Sequence, residues 1–521
     1  MSGQSSSFSR REFLATAAAA AANAQSRQSS RQSGSRPNIL FLMADEHRYN
    51  ALGCAGNDAV HTPNLDRLAG EGVRFAKTYC QAPLCQPSRA SMITGRYAHQ
   101  TGLTWNRMDM NPEWPTLMKS LQSAGYQTAV IGKTHFAGGA KLDTPRDLNS
   151  IADFTRSFGI DHLFEEYDRV VHGRPGVKTP YTDFLRSKNL LDAYVAQLPG
   201  HAPPGVDPRS VYTRGTIAAV PQELTQTAFL GDHAVDWLNN YKAEQPFFLW
   251  VSFVDPHPPM IDDATWAARY KDARIKAGPV VMPDLPDNAY GRYMKEWIRT
   301  TGTAEFTPER AAEMARHYYG MTSLVDQKIG DILGALRARG WDKNTWIIYL
   351  SDHGEMLGDH KMVFKNVFYK GSVRVPNIVR PPGGTKPRTS DALVQSIDVT
   401  STMLDIAGAE LKGAQGQSLM PLIKDSGSGS DHYQDSSTDS SAKGREVVYS
   451  ELAGHQNKGN FFVMAATQRY RYLYDKENDI ACELFDLEKD PDELHNLVNE
   501  PGSAGIRNDM HKDYVKPFMV S

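Results

Sequence analysis

The pentapeptide Cys85-Gln86-Pro87-Ser88-Arg89 brings a thiol, a proline and an arginine together within five residues. Pro87 fits the first turn of a helix, where its missing N–H costs nothing, and Gly95 is a natural stop for that helix. Cys85 is therefore expected just before a helix N-terminus, where free backbone N–H groups favour an anion. Arg89 adds a positive fork suited to a tetrahedral oxyanion. A buried or disulfide-bonded cysteine beside a turn is the competing interpretation of Cys85.

Polar side chains follow four apolar runs of strand length, at residues 38–44, 126–131, 247–253 and 346–350. The residues that follow these runs are Asp45 and Glu46, Lys133 and His135, His257, and Asp352 and His353. A run that is apolar on both faces is typical of a central strand in a parallel sheet. Open α/β sheets bind ligands at the carboxyl ends of such strands. The sequence therefore predicts an α/β fold, a doubly wound and mostly parallel sheet sandwiched by helices, with its site along one edge.

Carboxylates at two of these strand ends indicate a cation. Asp45 and Asp352, with Glu46 as a further candidate, would repel one another unless a positive ion lay between them. Oxygen ligands favour Ca²⁺ or Mg²⁺, while an imidazole from His353 keeps Mn²⁺ and Zn²⁺ open. Separate surface acids are the alternative, which the strand-end positions disfavour.

Together these segments resemble the type I sulfatases of the alkaline phosphatase-like superfamily, from about Arg36 to Pro501. The matching segments are the opening strand with Asp45, the signature Cys85–Arg89, Gly132-Lys133-Thr134-His135, residues 351–360 with Lys365, and residues 483–491. In that family a formylglycine-generating enzyme oxidises the signature cysteine to formylglycine (3-oxoalanine), whose hydrated aldehyde is the nucleophile. The resemblance thus implies a maturation partner and a sulfated small molecule or glycan as substrate.

The resemblance also implies a role for each candidate residue. Its metal ligands would be Asp45, Asp352, His353 and the modified Cys85, with Glu46 as a possible fifth. Its catalytic residues would have three roles. Lys133, Lys365 and Arg89 would neutralise the sulfuryl oxygens. His257 or Lys365 would protonate the leaving alcohol, and His135 would help release sulfate. His99 and His360 are candidates for the surrounding layer, where a purely structural role is the better expectation.

Two departures separate this chain from many sulfatases. It has Asp45-Glu46 where they have Asp-Asp, and Asp352-His353 where they have Asp-Asn. The Asp-His pair resembles iduronate-type and choline sulfatases, and also phosphonate monoester hydrolases. The leading prediction is a sulfate ester hydrolase. A phosphonate monoester or phosphodiester hydrolase on the same scaffold is the alternative, and a non-catalytic sulfated-glycan-binding protein is a lesser one. A formal net charge of −3 without a basic stripe excludes a nucleic-acid footprint.

The chain begins with a predicted export signal. Ser9-Arg10-Arg11-Glu12-Phe13-Leu14, an alanine run and Ala22-Asn23-Ala24 form a twin-arginine pattern with a small-residue cleavage site. The alanine run is too short to span a bilayer. We expect residues 1–35 to be signal and disordered linker, and the mature protein to be periplasmic or secreted.

The rest of the chain divides into three predicted regions. Residues 36–423 would form the catalytic domain, in which residues 137–222 lack periodicity and form a substrate-side insertion. Residues 424–444 are a Ser/Asp/Gly loop, and residues 445–521 a small α+β subdomain with an antiparallel sheet. Four cysteines are too few for a disulfide scaffold, although Cys54 and Cys80 could pair.

Overall fold

The computed structural model describes residues 36–138, 148–167, 178–198, 201, 210–213, 215–424, 444–454 and 459–520. From Asn38 onward these residues form one compact unit. The predicted export signal and nearly all of the predicted Ser/Asp/Gly loop lie outside the described residues, so both stay predictions, as do the domain boundaries.

A mixed, mostly parallel sheet is the centre of the fold. The strands before residue 400 are β1 (Asn38–Ala44), β2 (Val73–Tyr79), β3 (Gln127–Gly132), β4 (His162–Glu165), β5 (Thr216–Ile217), β6 (Phe247–Phe253), β7 (Ile261–Asp262), β8 (Thr345–Ser351), β9 (Arg374–Val375), β10 (Asn377–Arg380) and β11 (Arg388–Gln395). Within the described ranges nine of them form one sheet in the order β11-β2-β10-β8-β1-β6-β3-β4, with β9 paired to β2. Strands β8, β1, β6, β3 and β4 run parallel, and β10 is antiparallel to both of its neighbours.

The register of the parallel strands brings four strand ends to the same level. Ala44 at the end of β1 pairs with Ser351 of β8 on one side and with Phe253 of β6 on the other. Gly132 at the end of β3 pairs with Ser252 of β6. The residues that follow these strands therefore emerge side by side at one edge of the sheet, as predicted.

Helices cover both faces of the sheet, which confirms the predicted sandwich. The helices are α1 (Pro63–Gly70), α2 (Cys85–Thr94), α3 (Ala98–Thr101), α4 (Leu117–Ser123), α5 (Leu148–Arg156), α6 (Pro180–Ser187), α7 (Leu191–Val195), α8 (Ser210–Thr213), α9 (Gln226–Asn240), α10 (Ala264–Tyr270), α11 (Ala289–Thr301), α12 (Pro308–Ala338), α13 (Lys370–Val373), α14 (Ser396–Ala407), α15 (Met420–Lys424), α16 (Ala504–Asp509) and α17 (Lys516–Met519). Alternate residues of β1 enter two cores: Phe41 packs with residues of α2, α4 and α14, and Leu42 with residues of α1, α9 and α12. A strand buried on both faces reads as a continuous apolar run, as β1 does from Ile39 to Ala44.

A second sheet near the carboxyl terminus confirms the predicted antiparallel unit. Its four strands are β12 (Val448–Ala453), β13 (Phe461–Ala466), β14 (Tyr470–Asp475) and β15 (Ile480–Asp486), paired in that order. One face, with Phe462 and Leu473, joins the core of the large sheet, and the other, with Val463 and Tyr472, packs on Met510 and Phe518.

The structure differs from the sequence-based expectation in three places. The helix after the signature begins at Cys85 itself rather than after it, and ends at Gly95, which has φ 66°. Residues 137–222 are not wholly an insertion, because they contain β4, an edge strand of the large sheet. Strand β2 was not predicted because charged and polar residues interrupt its apolar pattern.

Cys54 and Cys80 are both free thiols. The described part of the chain contains no helix that is long and apolar enough to cross a membrane.

We predict that Gly132→Ala destabilises the sheet beneath the site. Gly132 has φ 108°, and a Cβ there would lie 2.0 Å from the carbonyl oxygen of Ser252 in the adjoining strand. We expect a loss of about 2–4 kcal/mol in the free energy of unfolding, measured by urea denaturation. Gly102→Ala is the matched control, because Gly102 has φ 71° with nothing within 4 Å of the added Cβ. Equal losses in both variants would contradict the steric explanation.

Candidate active site and metal centre

Two buried aspartates lie at the centre of the site, joined by one guanidinium. Asp45 and Asp352 follow the neighbouring strands β1 and β8, and both are fully buried. Arg89 of α2 donates from Nε to Asp352 Oδ2 at 2.8 Å and from Nη2 to Asp45 Oδ2 at 3.3 Å. The arginine thereby holds the two carboxylates and offsets their repulsion.

Arg89 also bonds to protein through its third nitrogen. Its Nη1 donates to the carbonyl oxygen of Lys133 at 2.5 Å and to Ser252 Oγ at 3.1 Å, so all three of its nitrogens bond to protein. The side chain is fully buried. Arg89 therefore braces the aspartates from within the protein, and its role in neutralising the sulfuryl oxygens stays a prediction.

Cys85 faces the same aspartates from the first residue of α2. Its Sγ lies 3.0 Å from His353 Nε2 and 3.7 Å from Asp45 Oδ1. Burial, together with the negative charge of Asp45, raises the pKa of the Cys85 thiol to about 12. Without a bound cation, burial therefore favours the neutral thiol over the thiolate.

The tautomer of His353 follows from its hydrogen bonds. Nδ1 lies 3.0 Å from the carbonyl oxygen of Gly354, which can only accept, so Nδ1 carries the proton. Nε2 then presents a lone pair, 3.7 Å from Asp45 Oδ1 and 3.8 Å from Asp352 Oδ1. This is the usual arrangement for an imidazole that binds a metal through one nitrogen and is oriented through the other.

These side chains fit a divalent cation. Asp45, Cys85, Asp352 and His353 each offer one ligand atom, and the four atoms lie within 4.8 Å of one another. Burial by itself would raise the pKa of Asp45, but nearby positive charges, that of Lys133 foremost, hold it well below its ordinary value. Lys133 Nζ lies 2.5 Å from Asp45 Oδ2. The donor set thus includes a carboxylate held in the anionic form that a hard cation needs.

Glu46, Lys365 and His257 form a second group beside the first. Lys365 Nζ lies 2.5 Å from Glu46 Oε2 and 2.8 Å from His257 Nε2. His257 Nδ1 lies 2.6 Å from the carbonyl oxygen of Pro258, so Nδ1 donates there and Nε2 accepts from Lys365. The Glu46 carboxylate can join Asp45 and His257 around a cation, but not the four-residue set described above. Its shortest contact is with Lys365, and its role as a metal ligand stays a prediction.

His135 lies on the loop that follows β3, two residues beyond Lys133. It is partly buried and has a left-handed φ of 61°. Between the two, the Thr134 hydroxyl donates to Glu165 at the end of β4. Glu165 also accepts from Thr155, and burial raises the pKa of its carboxyl to about 7. This support is not predictable from the sequence, because it comes from an edge strand without a clear apolar pattern.

The two outer histidines have structural contacts. His99 Nδ1 lies 2.7 Å from Glu451 Oε1, and the His360 ring stacks on Tyr369 with centroids 4.0 Å apart.

Two supports of the site were also missed: Ser88 Oγ donates to the carbonyl oxygen of Asp352 at 2.6 Å, and Glu355 accepts from the backbone of the loop that leads to Lys365. The sequence signal for these two supports is their position. Ser88 precedes Arg89 in the signature, and Glu355 follows Asp352-His353 by two residues.

Comparisons with known proteins agree with this geometry. Residues 37–409 match the family described as Sulfatase, and residues 358–517 match the one described as N-sulphoglucosamine sulphohydrolase, C-terminal. An arylsulfatase of Clostridium perfringens is 29% identical over 89% of this chain and 90% of its own length. An N-acetylglucosamine-6-O-sulfatase of Bacteroides thetaiotaomicron is 29% identical over 89% of this chain and 83% of its own. The phosphonate monoester hydrolase of Agrobacterium radiobacter superposes with a TM-score of 0.71 at 25% identity, over 93% of this chain and 95% of that one.

We predict that Arg89→Lys weakens metal binding. A lysine cannot bridge both aspartates, so the ligands lose their fixed geometry and their shared counter-charge. We expect the Ca²⁺ affinity, measured by isothermal titration calorimetry, to fall about 10- to 100-fold. Arg445→Lys is the matched control, because Arg445 is a mostly buried arginine paired with Asp398 away from these ligands. Unchanged affinity in Arg89→Lys would show that the guanidinium does not organise the ligands.

Proposed function

Because the chain belongs to the sulfatase family, we propose that it is an exported enzyme that hydrolyses a sulfate ester of a carbohydrate with a formylglycine made from Cys85. The observation that carries the proposal is the position of Cys85 Sγ, 3.0 Å from His353 Nε2 and 3.7 Å from Asp45 Oδ1. A carbohydrate substrate is supported by the similarity to the N-acetylglucosamine-6-O-sulfatase. The twin-arginine pattern in residues 1–35 supports export.

The cation proposed for the site is Ca²⁺, with Mg²⁺ or Mn²⁺ as alternatives. Asp45, Asp352 and His353 would hold it together with residue 85, and Glu46 is a further candidate ligand. When bound, such an ion offsets negative charge on the ester and favours deprotonation of a nearby hydroxyl. Carboxylates suit a hard cation, and the single imidazole keeps Mn²⁺ in contention.

The proposed nucleophile is an oxygen of the hydrated aldehyde at position 85. The similarity to sulfatases supports oxidation of Cys85, which is buried beside Asp45 and His353. An oxygen at this position lies beside Lys133, whose Nζ is 2.5 Å from Asp45 Oδ2. Lys133 would stabilise negative charge on the sulfuryl oxygens as the ester reacts.

Lys365 is the proposed proton donor to the leaving alcohol. Burial disfavours its charge, but the neighbouring Glu46 and Asp45 outweigh this and hold the pKa of the ammonium above its ordinary value. Since His257 Nε2 accepts from Lys365, the proton of this pair lies on Lys365. The new bond from the residue-85 oxygen to sulfur would form as the bond from sulfur to the alcohol oxygen breaks, and Lys365 would protonate that oxygen. His135 would then accept the proton of the second hydroxyl at residue 85, the bond from that carbon to the sulfate oxygen would break, and sulfate would leave as the aldehyde re-forms.

We predict that Lys365→Met is most damaging with poor leaving groups. An alkyl sulfate needs its leaving oxygen protonated, so kcat/KM should fall about 10²- to 10⁴-fold. p-Nitrophenyl sulfate has a stable phenolate leaving group, so its loss should be much smaller. Lys328→Met, which removes another buried and paired lysine, should affect neither substrate selectively. Equal losses on both sulfates in Lys365→Met would assign the proton to another group.

A phosphonate monoester hydrolase remains the second candidate, supported by the TM-score of 0.71 with the Agrobacterium radiobacter enzyme. We expect kcat/KM for p-nitrophenyl sulfate to exceed that for p-nitrophenyl phenylphosphonate. Cys85→Ala should abolish turnover of both, and mass spectrometry of the Cys85 peptide should find the aldehyde. A clear preference for the phosphonate would reverse the order of the two candidates, and substantial activity in Cys85→Ala would exclude residue 85 as the nucleophile.

A further inference from the structure

A second polar cavity lies between the large sheet and the small antiparallel sheet. Its volume is about 290 Å³, near the lower end for ligand sites. Its walls come from the segment after β1, from β2, from α13 and β9, and from the β13–β14 turn with the segment after β15. None of its lining residues belongs to the two groups described above.

Positive side chains dominate the walls of this cavity. Lys77, Lys370, Arg374 and Arg471 line it, and among the described residues Glu493 is its one acidic lining residue. Both oxygens of Glu493 are occupied: Oε1 lies 2.5 Å from Arg471 Nε, and Oε2 accepts from the backbone N–H of Lys370 at 2.8 Å. Glu493 is therefore already paired with Arg471.

Two of these cations have no acidic partner within the described part of the chain. Lys77 Nζ donates to the amide oxygen of Gln468, which is neutral. Arg374 donates from Nη2 to the carbonyl oxygen of Ala76, and its guanidinium lies 4.3 Å from the centre of the Tyr49 ring. An aromatic face and a carbonyl orient this charge but do not neutralise it.

Arg471 lines the same cavity, and its guanidinium lies 4.5 Å from the centre of the Phe485 ring and 5.1 Å from that of Tyr369. Its Nε and Nη1 bind Glu493 and Glu483, whereas its buried Nη2 has no hydrogen-bond partner among the residues that the structure describes. The side chain is only 2% exposed. Arg374 Nε is likewise buried without a hydrogen-bond partner within the described ranges. A buried donor without a partner is costly, so such groups normally face a ligand or ordered water.

We propose that this cavity binds an oxyanion, a sulfate or carboxylate group other than the ester that is hydrolysed. Guanidinium edges match the geometry of these anions, and a partly buried setting strengthens charge-assisted hydrogen bonds. The anion is either a charged group elsewhere on the substrate or a free inorganic anion. A charged group on the substrate as the source rests on the proposed function. The anion site itself does not.

Anomalous diffraction with selenate, a sulfate analogue, tests the site directly. Crystals of the full chain soaked in selenate should show a selenium peak beside Arg374 and Arg471. Arg374→Gln should remove the peak. Arg388→Gln is the matched control and should keep the peak. Like Arg374, Arg388 is a half-buried strand arginine that donates to one backbone carbonyl, and its buried Nε has no hydrogen-bond partner in the described ranges. No peak in the unsubstituted protein, or a peak that survives in Arg374→Gln, overturns the proposal.

Kinetics then identify the source of the anion. If it belongs to the substrate, Arg374→Gln should raise KM about tenfold for a disulfated disaccharide and leave KM for p-nitrophenyl sulfate unchanged. If it is free, the substitution removes the selenate peak without changing either KM. Failure of the proposed function would appear differently, as no turnover of either sulfate by the unsubstituted enzyme, and would leave the diffraction result intact.

Discussion

The structure depends on holding two buried aspartates side by side. Asp45 and Asp352 are both fully buried at the ends of neighbouring strands. Isolated buried charges cost several kcal/mol each, so this arrangement requires compensation from within the protein. Arg89 supplies it by bonding to both carboxylates, and Lys133 adds a second positive charge on Asp45. The helix that carries Arg89 begins with Cys85, so the group that braces the ligands and the group proposed to react share one rigid element.

Much of this arrangement could be predicted from the sequence. Apolar runs such as 38–44 and 346–350 identify central strands because a strand buried on both faces has no polar positions. Since parallel strands end at the same edge, Asp45 and Asp352 could be expected to meet without knowledge of strand order. The expectation of a cation then followed from charge repulsion alone, and four ligand atoms within 4.8 Å agree with it.

The direction of individual side chains could not be predicted. Arg89 follows Cys85 by four residues and so lies on the same face of α2, but its spacing does not reveal whether it points at the substrate or at the ligands. Glu46 raises the same difficulty: its position beside Asp45 predicts a ligand, whereas its carboxylate lies 2.5 Å from Lys365 Nζ. Strand β4 was missed because it is a four-residue edge strand, although its Glu165 supports the loop that carries Lys133 and His135.

The central claim is that residue 85, once oxidised, shares a divalent cation with Asp45 and Asp352. Anomalous diffraction from crystals of the matured enzyme soaked in Mn²⁺ tests it most directly. The account predicts one manganese peak within bonding distance of Asp45, Asp352, His353 and the modified residue 85. A peak elsewhere, with residue 85 outside its ligand shell, would contradict the account.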